Sequence, residues 1–183
     1  METLFLHGFN SGPVNHSPDW YAPQLDYSDV QGTLTKLEDI IREQDISYIV
    51  AKSIGAFFAL VLYQRDPNLT LFLINPSLEP HKTLKHLNGK SIRNYRDVSM
   101  VTKVPENFTD ELELINPYKE DENIYYTGLA IFEFGDEVVD QVRNAERINC
   151  MEILSYPDGN HSFSRMPDIV KYINTFIKYA FAS

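Results

Sequence analysis

Apolar and polar positions along this chain switch between a period of two and a period of three to four, and the switches mark a run of strands and helices. Thr3 to Leu6 is a short apolar strand that breaks into His7-Gly8-Phe9-Asn10-Ser11-Gly12-Pro13, a loop rich in turn formers. His16 to Leu25 has no period, and Pro18 and Pro23 exclude a long helix or a central strand. Ser28 with Gln31 has the form of a capping box, and Leu34, Leu37, Ile40 and Ile41 line one face of a helix expected from about Asp29 to Glu43. A strand is expected over Ser47 to Ala51, then a helix from Ile54 to about Asp66-Pro67, then Leu69 to Ile74, whose near-continuous apolar run suits a strand buried on both faces. Leu129 to Phe134 and Met151 to Tyr156 read as two more strands, with a helix ending near Ile148 between them. Pro167 suits the first turn of a last helix whose core face is Ile169, Ile173, Phe176, Ile177 and Ala180.

Strands alternating with helices imply an α/β fold with a mainly parallel sheet flanked by helices. The stretch from about 77 to 126 breaks this rhythm. It is polar, has scattered aromatics and prolines, and carries one short helical pattern near Thr109 to Ile115, so it reads as a small cap insertion in a single domain spanning 1–183.

The totals narrow the function. At 183 residues the chain can bury one full core. A net charge of −10 argues against nucleic acid and anionic membrane as partners, and disfavours highly anionic substrates unless basic residues cluster near a site. The start of the chain has neither a basic region nor a long apolar run, so no signal peptide is expected, and no run reaches transmembrane length. Cys150 is the single cysteine and cannot form an internal disulfide, which makes the cytoplasm the expected compartment.

Chemistry concentrates at the ends of the expected strands. Ala51-Lys52-Ser53-Ile54-Gly55 places a serine between an apolar strand and an amphipathic helix, the layout of a nucleophile elbow with Ala51 in a slot that is more often glycine. Such a turn is strained, so only small residues fit two before and two after the serine; a plain helix N-cap is the competing reading of Ser53. The Gly-rich loop after the first strand is a place for an oxyanion hole, formed by the backbone N–H groups of Phe9 and Ile54, with His7 in support. Asp136 follows one strand end and His161 another, and the order Ser, Asp, His is that of an α/β-hydrolase triad. A serine hydroxyl needs a base to take its proton, and the base needs a carboxylate to fix its tautomer. Asp140 is the runner-up for the acid, and Asp158 could serve only if its loop folded back. The histidines lack ligand spacing and the glycines match no nucleotide loop, so neither metal nor cofactor is expected.

The chain also resembles the YqiA/YcfP family of small bacterial esterases, the UPF0227 group. The likeness lies in Phe5-Leu6-His7-Gly8-Phe9-Asn10-Ser11, Ala22-Pro23-Gln24-Leu25, Ile74-Asn75-Pro76-Ser77 with Pro80, Gly135-Asp136-Glu137-Val138 and Gly159-Asn160-His161-Ser162-Phe163. The resemblance implies a compact α/β-hydrolase that cleaves small-molecule carboxylic esters or thioesters, with Ser53, Asp136 and His161 as its triad. The family's usual Gly-Ser-Ser-x-Gly-Gly stands here as Ala51-Lys52-Ser53-Ile54-Gly55-Ala56, and the Lys52 side chain is expected to point away from the elbow. A catalytically silent binding or regulatory protein on the same fold is the alternative, and a peptidase a third.

Overall fold

The computed structural model describes residues 3–117, 125–148 and 151–180. In chain order its elements are β1 (Thr3–Leu6), β2 (Trp20–Tyr21), α1 (Val30–Glu43), β3 (Tyr48–Lys52), α2 (Ile54–Arg65) and β4 (Thr70–Ile74). A segment of short elements follows: α3 (Pro80–Thr83), one 3-10 turn (Lys85–Leu87), the hairpin strands β5 (Ser91–Arg93) and β6 (Val101–Lys103), and α4 (Phe108–Leu114). The chain then returns with β7 (Gly128–Glu133), α5 (Gln141–Arg147), β8 (Glu152–Tyr156) and α6 (Met166–Ala180). Six strands form one sheet in the order β2-β1-β3-β4-β7-β8, and every neighbouring pair is parallel.

Parallel pairing follows from the connections between the strands, most of them helical, which carry the chain back to the same end of the sheet each time. Both faces are therefore covered, and alternate residues of each strand enter different clusters. Leu4, Leu6, Ile49, Ala51, Leu71 and Leu73 face α1 and α2. Phe5, Val50, Phe72, Ile74 and Ile131 face α6 through Ile169 and Ile173. α2 is buried from Ile54 through Tyr63, so it is apolar all round rather than striped. Val104, Phe108 and Leu112, from the segment read as an insertion, are fully buried in the same cluster as α1 and α2, and Phe108 stacks on Phe9 at 5.4 Å.

Three local expectations are corrected. Asp29, not Ser28, caps α1: its Oδ1 accepts the Gly32 N–H at 3.0 Å, while the Ser28 hydroxyl turns back to Asp26 at 2.6 Å. A carboxylate at this end also meets the positive pole of the helix, which a hydroxyl cannot exploit. The region around Trp20 is not wholly irregular, because Trp20 and Tyr21 pair with Thr3 and Leu4 as an edge strand. Pro18 and Pro23 are compatible with it because they flank the two paired residues and an edge strand bonds on one side only. Finally, Phe176 is 44% exposed and Ala180 is exposed too, so the core face of α6 is anchored by Ile169 and Ile173 and fades along its last turns.

Candidate active site

The turn after β3 is as tight as its composition requires. Ser53 sits at φ 54° and ψ −123°, a left-handed conformation that a non-glycine residue adopts only under constraint. Its N–H donates to the Ile74 carbonyl at 3.1 Å, and its own carbonyl accepts from Ala56 at 3.1 Å and Ser77 at 3.0 Å. The first turn of α2 consequently lies against the end of β1. A Cβ on Gly55 would stand 2.7 Å from the Leu6 carbonyl oxygen and 2.9 Å from that of His7, so glycine is required by close approach.

Asp136 and His161 come to this serine from two neighbouring strand ends. Ser53 Oγ lies 3.3 Å from His161 Nε2, and His161 Nδ1 lies 2.9 Å from Asp136 Oδ2. The carboxylate can only accept, so Nδ1 carries the proton and Nε2 presents its lone pair to the serine hydroxyl. The Asp136 side chain is fully buried, and burial alone would raise its carboxyl. Donation from His161, from Gln141 at 2.8 Å and from the Val139 and Val138 N–H groups, each at 2.9 Å, outweighs that and holds it below the ordinary aspartate range. The other two aspartates are committed elsewhere. Asp140 caps α5 by accepting the Arg143 N–H at 3.0 Å, and Asp158 pairs with Arg165 at 2.5 Å.

Two residues that sequence reasoning passed over build the histidine's loop. Glu133, the last residue of β7, is fully buried, and its carboxylate accepts from the Asn160 N–H (2.9 Å), the Ser164 N–H (2.9 Å) and hydroxyl (2.6 Å), and the Arg165 N–H (3.2 Å) and guanidinium (2.8 Å). Burial pushes its carboxyl up, but these donors pull it below the usual glutamate range. Asn75, also fully buried, joins three strand ends: its N–H donates to Ile131, its Oδ1 accepts the Glu133 N–H at 2.7 Å and its Nδ2 donates to the Asn160 carbonyl at 3.0 Å. Gly159 has φ 98°, and a Cβ there would fall 2.1 Å from Glu133 Oε2, so the loop closes over the carboxylate only with glycine.

The loop after β1 is held from beneath by His7. Leu25 N–H donates to His7 Nε2 at 3.2 Å, while Nδ1 lies 2.8 Å from the Gly8 carbonyl and 3.2 Å from the Gly12 N–H. Tyr27 donates to the His7 carbonyl at 2.8 Å. Among the described residues, no acceptor engages the N–H of Phe9 or of Ile54. Lys52 does not point away from the site: its ammonium donates to the Ser162 carbonyl at 3.0 Å, one residue past His161. No group of three or more His, Cys, Asp or Glu among the described residues is arranged to hold a metal ion, and no described helix is long and apolar enough to cross a membrane.

Burial, foremost, lowers the pKa of His7, His16 and His81. The unfolded chain protonates its histidines near ~6.5, whereas these three resist until lower pH, so acid favours the unfolded state in that interval. Asp136 and Glu133 add to this at lower pH: their depressed folded values stabilise the protein above the ordinary carboxylate range, and that contribution is lost as pH falls through them. The urea midpoint is therefore expected to fall steadily from about pH 7 to about pH 5. A midpoint unchanged across that range would contradict neutral buried histidines.

A parallel sheet flanked by helices on both faces, with a strained serine at one strand end and a histidine and a carboxylate at two others, defines the chain as an α/β-hydrolase fold. The match of a family model over residues 2–180 makes it a member of the Uncharacterised protein family (UPF0227). No curated protein matches the sequence. Solved structures match closely in fold and distantly in sequence. A chain from a structure of LipS and LipT, two metagenome-derived lipolytic enzymes, superposes with a TM-score of 0.70 at 15% identity, over 97% of this chain and 93% of that chain. Est1E from Butyrivibrio proteoclasticus gives 0.69 at 12% identity over 99% and 88%. Mouse alpha/beta hydrolase domain-containing protein 10 gives 0.69 at 13% identity over 98% and 90%.

Proposed function

We propose that this protein hydrolyses small-molecule carboxylic esters or thioesters through an acyl-enzyme on Ser53. The observation that carries the reading is the continuous relay from Ser53 Oγ to His161 Nε2 at 3.3 Å and from His161 Nδ1 to Asp136 at 2.9 Å, starting from a serine at φ 54°. An oxygen–nitrogen separation of this size tightens when substrate binds. The esterase and lipolytic character of the solved neighbours supports the same class of chemistry.

In the first half-reaction Ser53 Oγ bonds to the acyl carbon as His161 Nε2 takes the hydroxyl proton. The carbonyl electron pair moves onto oxygen, where the Phe9 and Ile54 N–H groups receive the charge. Asp136 stays ionised and stabilises the imidazolium. The C–O or C–S bond then breaks and Nε2 returns its proton to the departing alkoxide or thiolate. Water repeats the sequence: Nε2 takes its proton, the oxygen bonds to the acyl carbon, and the Ser53 ester breaks as Oγ regains a proton. The segment from α3 through α4 serves as a cap beside the site within a single domain, and the enzyme works in the cytoplasm without a cofactor.

Fluorophosphonate labelling with peptide mapping tests the reading directly. Covalent modification confined to Ser53 is the expected outcome. A folded protein that takes no label would overturn it in favour of a silent hydrolase fold.

A further inference from the structure

The net charge of −10 is unevenly spread along the chain. Between residues 85 and 103, Lys85, Lys90, Arg93, Arg96 and Lys103 stand against Asp97 alone, a local +4 that leaves −14 on the rest. All five cations are exposed. So are Tyr95, Val98, Met100 and Val101, four apolar side chains within seven residues. Exposed apolar residues scattered singly need no explanation, but a group of them in the basic segment of an acidic protein does.

The β5–β6 hairpin that carries them has two unlike faces. Ser91 pairs with Lys103, Ile92 with Thr102 and Arg93 with Val101, so alternation sets Ile92 and Thr102 on one face and the other four on the opposite one. Ile92 packs against the core and Thr102 bonds to Asn10, which leaves Arg93, Val101 and Lys103 on the outer, exposed face. The tip satisfies its own polar groups. Asn94 Oδ1 accepts the Arg96 N–H at 2.8 Å and the Asp97 N–H at 3.1 Å. Asp97 Oδ1 accepts the Ser99 N–H at 3.0 Å and its hydroxyl at 2.5 Å, and the Asp97 carbonyl accepts the Met100 N–H at 3.0 Å. A turn whose N–H groups and single carboxylate are engaged locally loses less on leaving bulk water than an open one. The hairpin is also fixed to the first loop: Tyr95 N–H donates to the Asn10 carbonyl at 3.1 Å and the Asn10 amide donates to the Arg93 carbonyl, one residue past Phe9.

We propose that this hairpin docks the protein on anionic lipid surfaces, with Tyr95, Val98 and Met100 entering the boundary between headgroups and acyl chains and Arg93, Arg96 and Lys103 meeting the lipid anions. Both contributions to interfacial binding are present, apolar area to bury and cations to hold near a negative surface. A tyrosine suits that boundary, with a ring to bury and a hydroxyl to keep wet. The total charge was expected to exclude such a surface; concentrated away from the hairpin, the negative charge instead favours an approach that leads with the hairpin. Nucleic acid would use the cations but offer the aliphatic side chains little to bury against, and a second copy meeting patch to patch would set like charge on like charge. Docking brings the loop that carries Phe9 close to the lipid, and it holds whatever the chemistry at Ser53.

The test is co-sedimentation of the full chain with vesicles of phosphatidylcholine containing about 30% phosphatidylserine, against vesicles of phosphatidylcholine alone. Partitioning onto the anionic vesicles is expected to be at least about tenfold stronger, and to weaken when salt is raised from about 0.05 to about 0.5 M. It should fall about tenfold in the double variant Arg93→Gln, Lys103→Gln, and about tenfold in Val98→Asp. These side chains are exposed, so the variants should keep the wild-type thermal midpoint. Fluorescence locates the contact: Trp20 is the single tryptophan and only 5% exposed, so brominated lipid should leave wild-type emission unchanged and quench the added signal of Val98→Trp. Equal or absent binding to the two vesicle types overturns the proposal, as does anionic binding that Val98→Asp leaves intact or a Val98→Trp signal that brominated lipid does not quench. Wild-type protein that ignores vesicles but binds duplex DNA, or that forms a dimer broken by Val98→Asp, overturns it in favour of a nucleic-acid or self-association surface.

Discussion

Ser53→Ala is expected to abolish ester turnover, lowering kcat by about four to six orders of magnitude, while the protein stays folded. The size of the effect follows from the division of labour at the elbow. The Ser53 backbone holds the turn, through its bonds to Ile74, Ala56 and Ser77, and alanine retains all of them. Among the described residues the hydroxyl hydrogen-bonds only to His161, at 3.3 Å, so its removal takes away the bond-forming atom and little packing. Thermal denaturation should consequently give nearly the wild-type midpoint. Purified Ser53→Ala that still cleaves esters at more than a thousandth of the wild-type rate would place the nucleophile elsewhere.

Glu133→Ala is expected to damage stability and activity together. This carboxylate is fully buried and accepts from Asn160, Ser164 and Arg165, so its loss strands several partly buried donors at once. Removing one side of a buried, hydrogen-bonded charge system costs about 3–5 kcal/mol, read as a shift of the urea midpoint at unchanged slope. Activity should drop further than stability alone accounts for, by about a hundredfold, because the loop that carries His161 loses its anchor and misplacement of a reacting group by about 1 Å has that effect. Glu133→Gln keeps the shape but turns one acceptor into a donor facing N–H groups, and should fall between the two. If Glu133→Ala kept wild-type kcat at temperatures where it is folded, the carboxylate would be structural only, with no bearing on His161.

The candidate site was legible where its residues follow directly on strand ends. Ser53, Asp136 and His161 each stand just past an apolar run, and the small residues Ala51 and Gly55 mark the elbow, because the steric demands of a tight turn act within two or three residues. The α1 cap slipped by one residue for a related reason: Asp26, Ser28 and Asp29 can all turn back on nearby N–H groups, and only the folded chain chooses among them. Glu133 was not legible at all. Within Phe132-Glu133-Phe134 it reads as an ordinary strand position, and its donors are 27 to 32 residues away in sequence. Asn75 likewise reads as a turn former until its amide is seen to reach the Asn160 carbonyl.

By itself the sequence determined the alternation of strands and helices, the parallel sheet that alternation enforces and the three strand ends where chemistry gathers, since periodicity and turn sterics are short-range. Only the tertiary structure decided which carboxylate faces His161, that Glu133 holds its loop, and that the Lys52 ammonium reaches the Ser162 carbonyl beside His161. Those outcomes depend on the register of strands distant in the chain, such as Glu133 opposite Tyr156 and Lys52 opposite Ile74, and on where the hairpin seats on the first loop. Such long-range convergence is set by how whole elements pack, which no local pattern encodes.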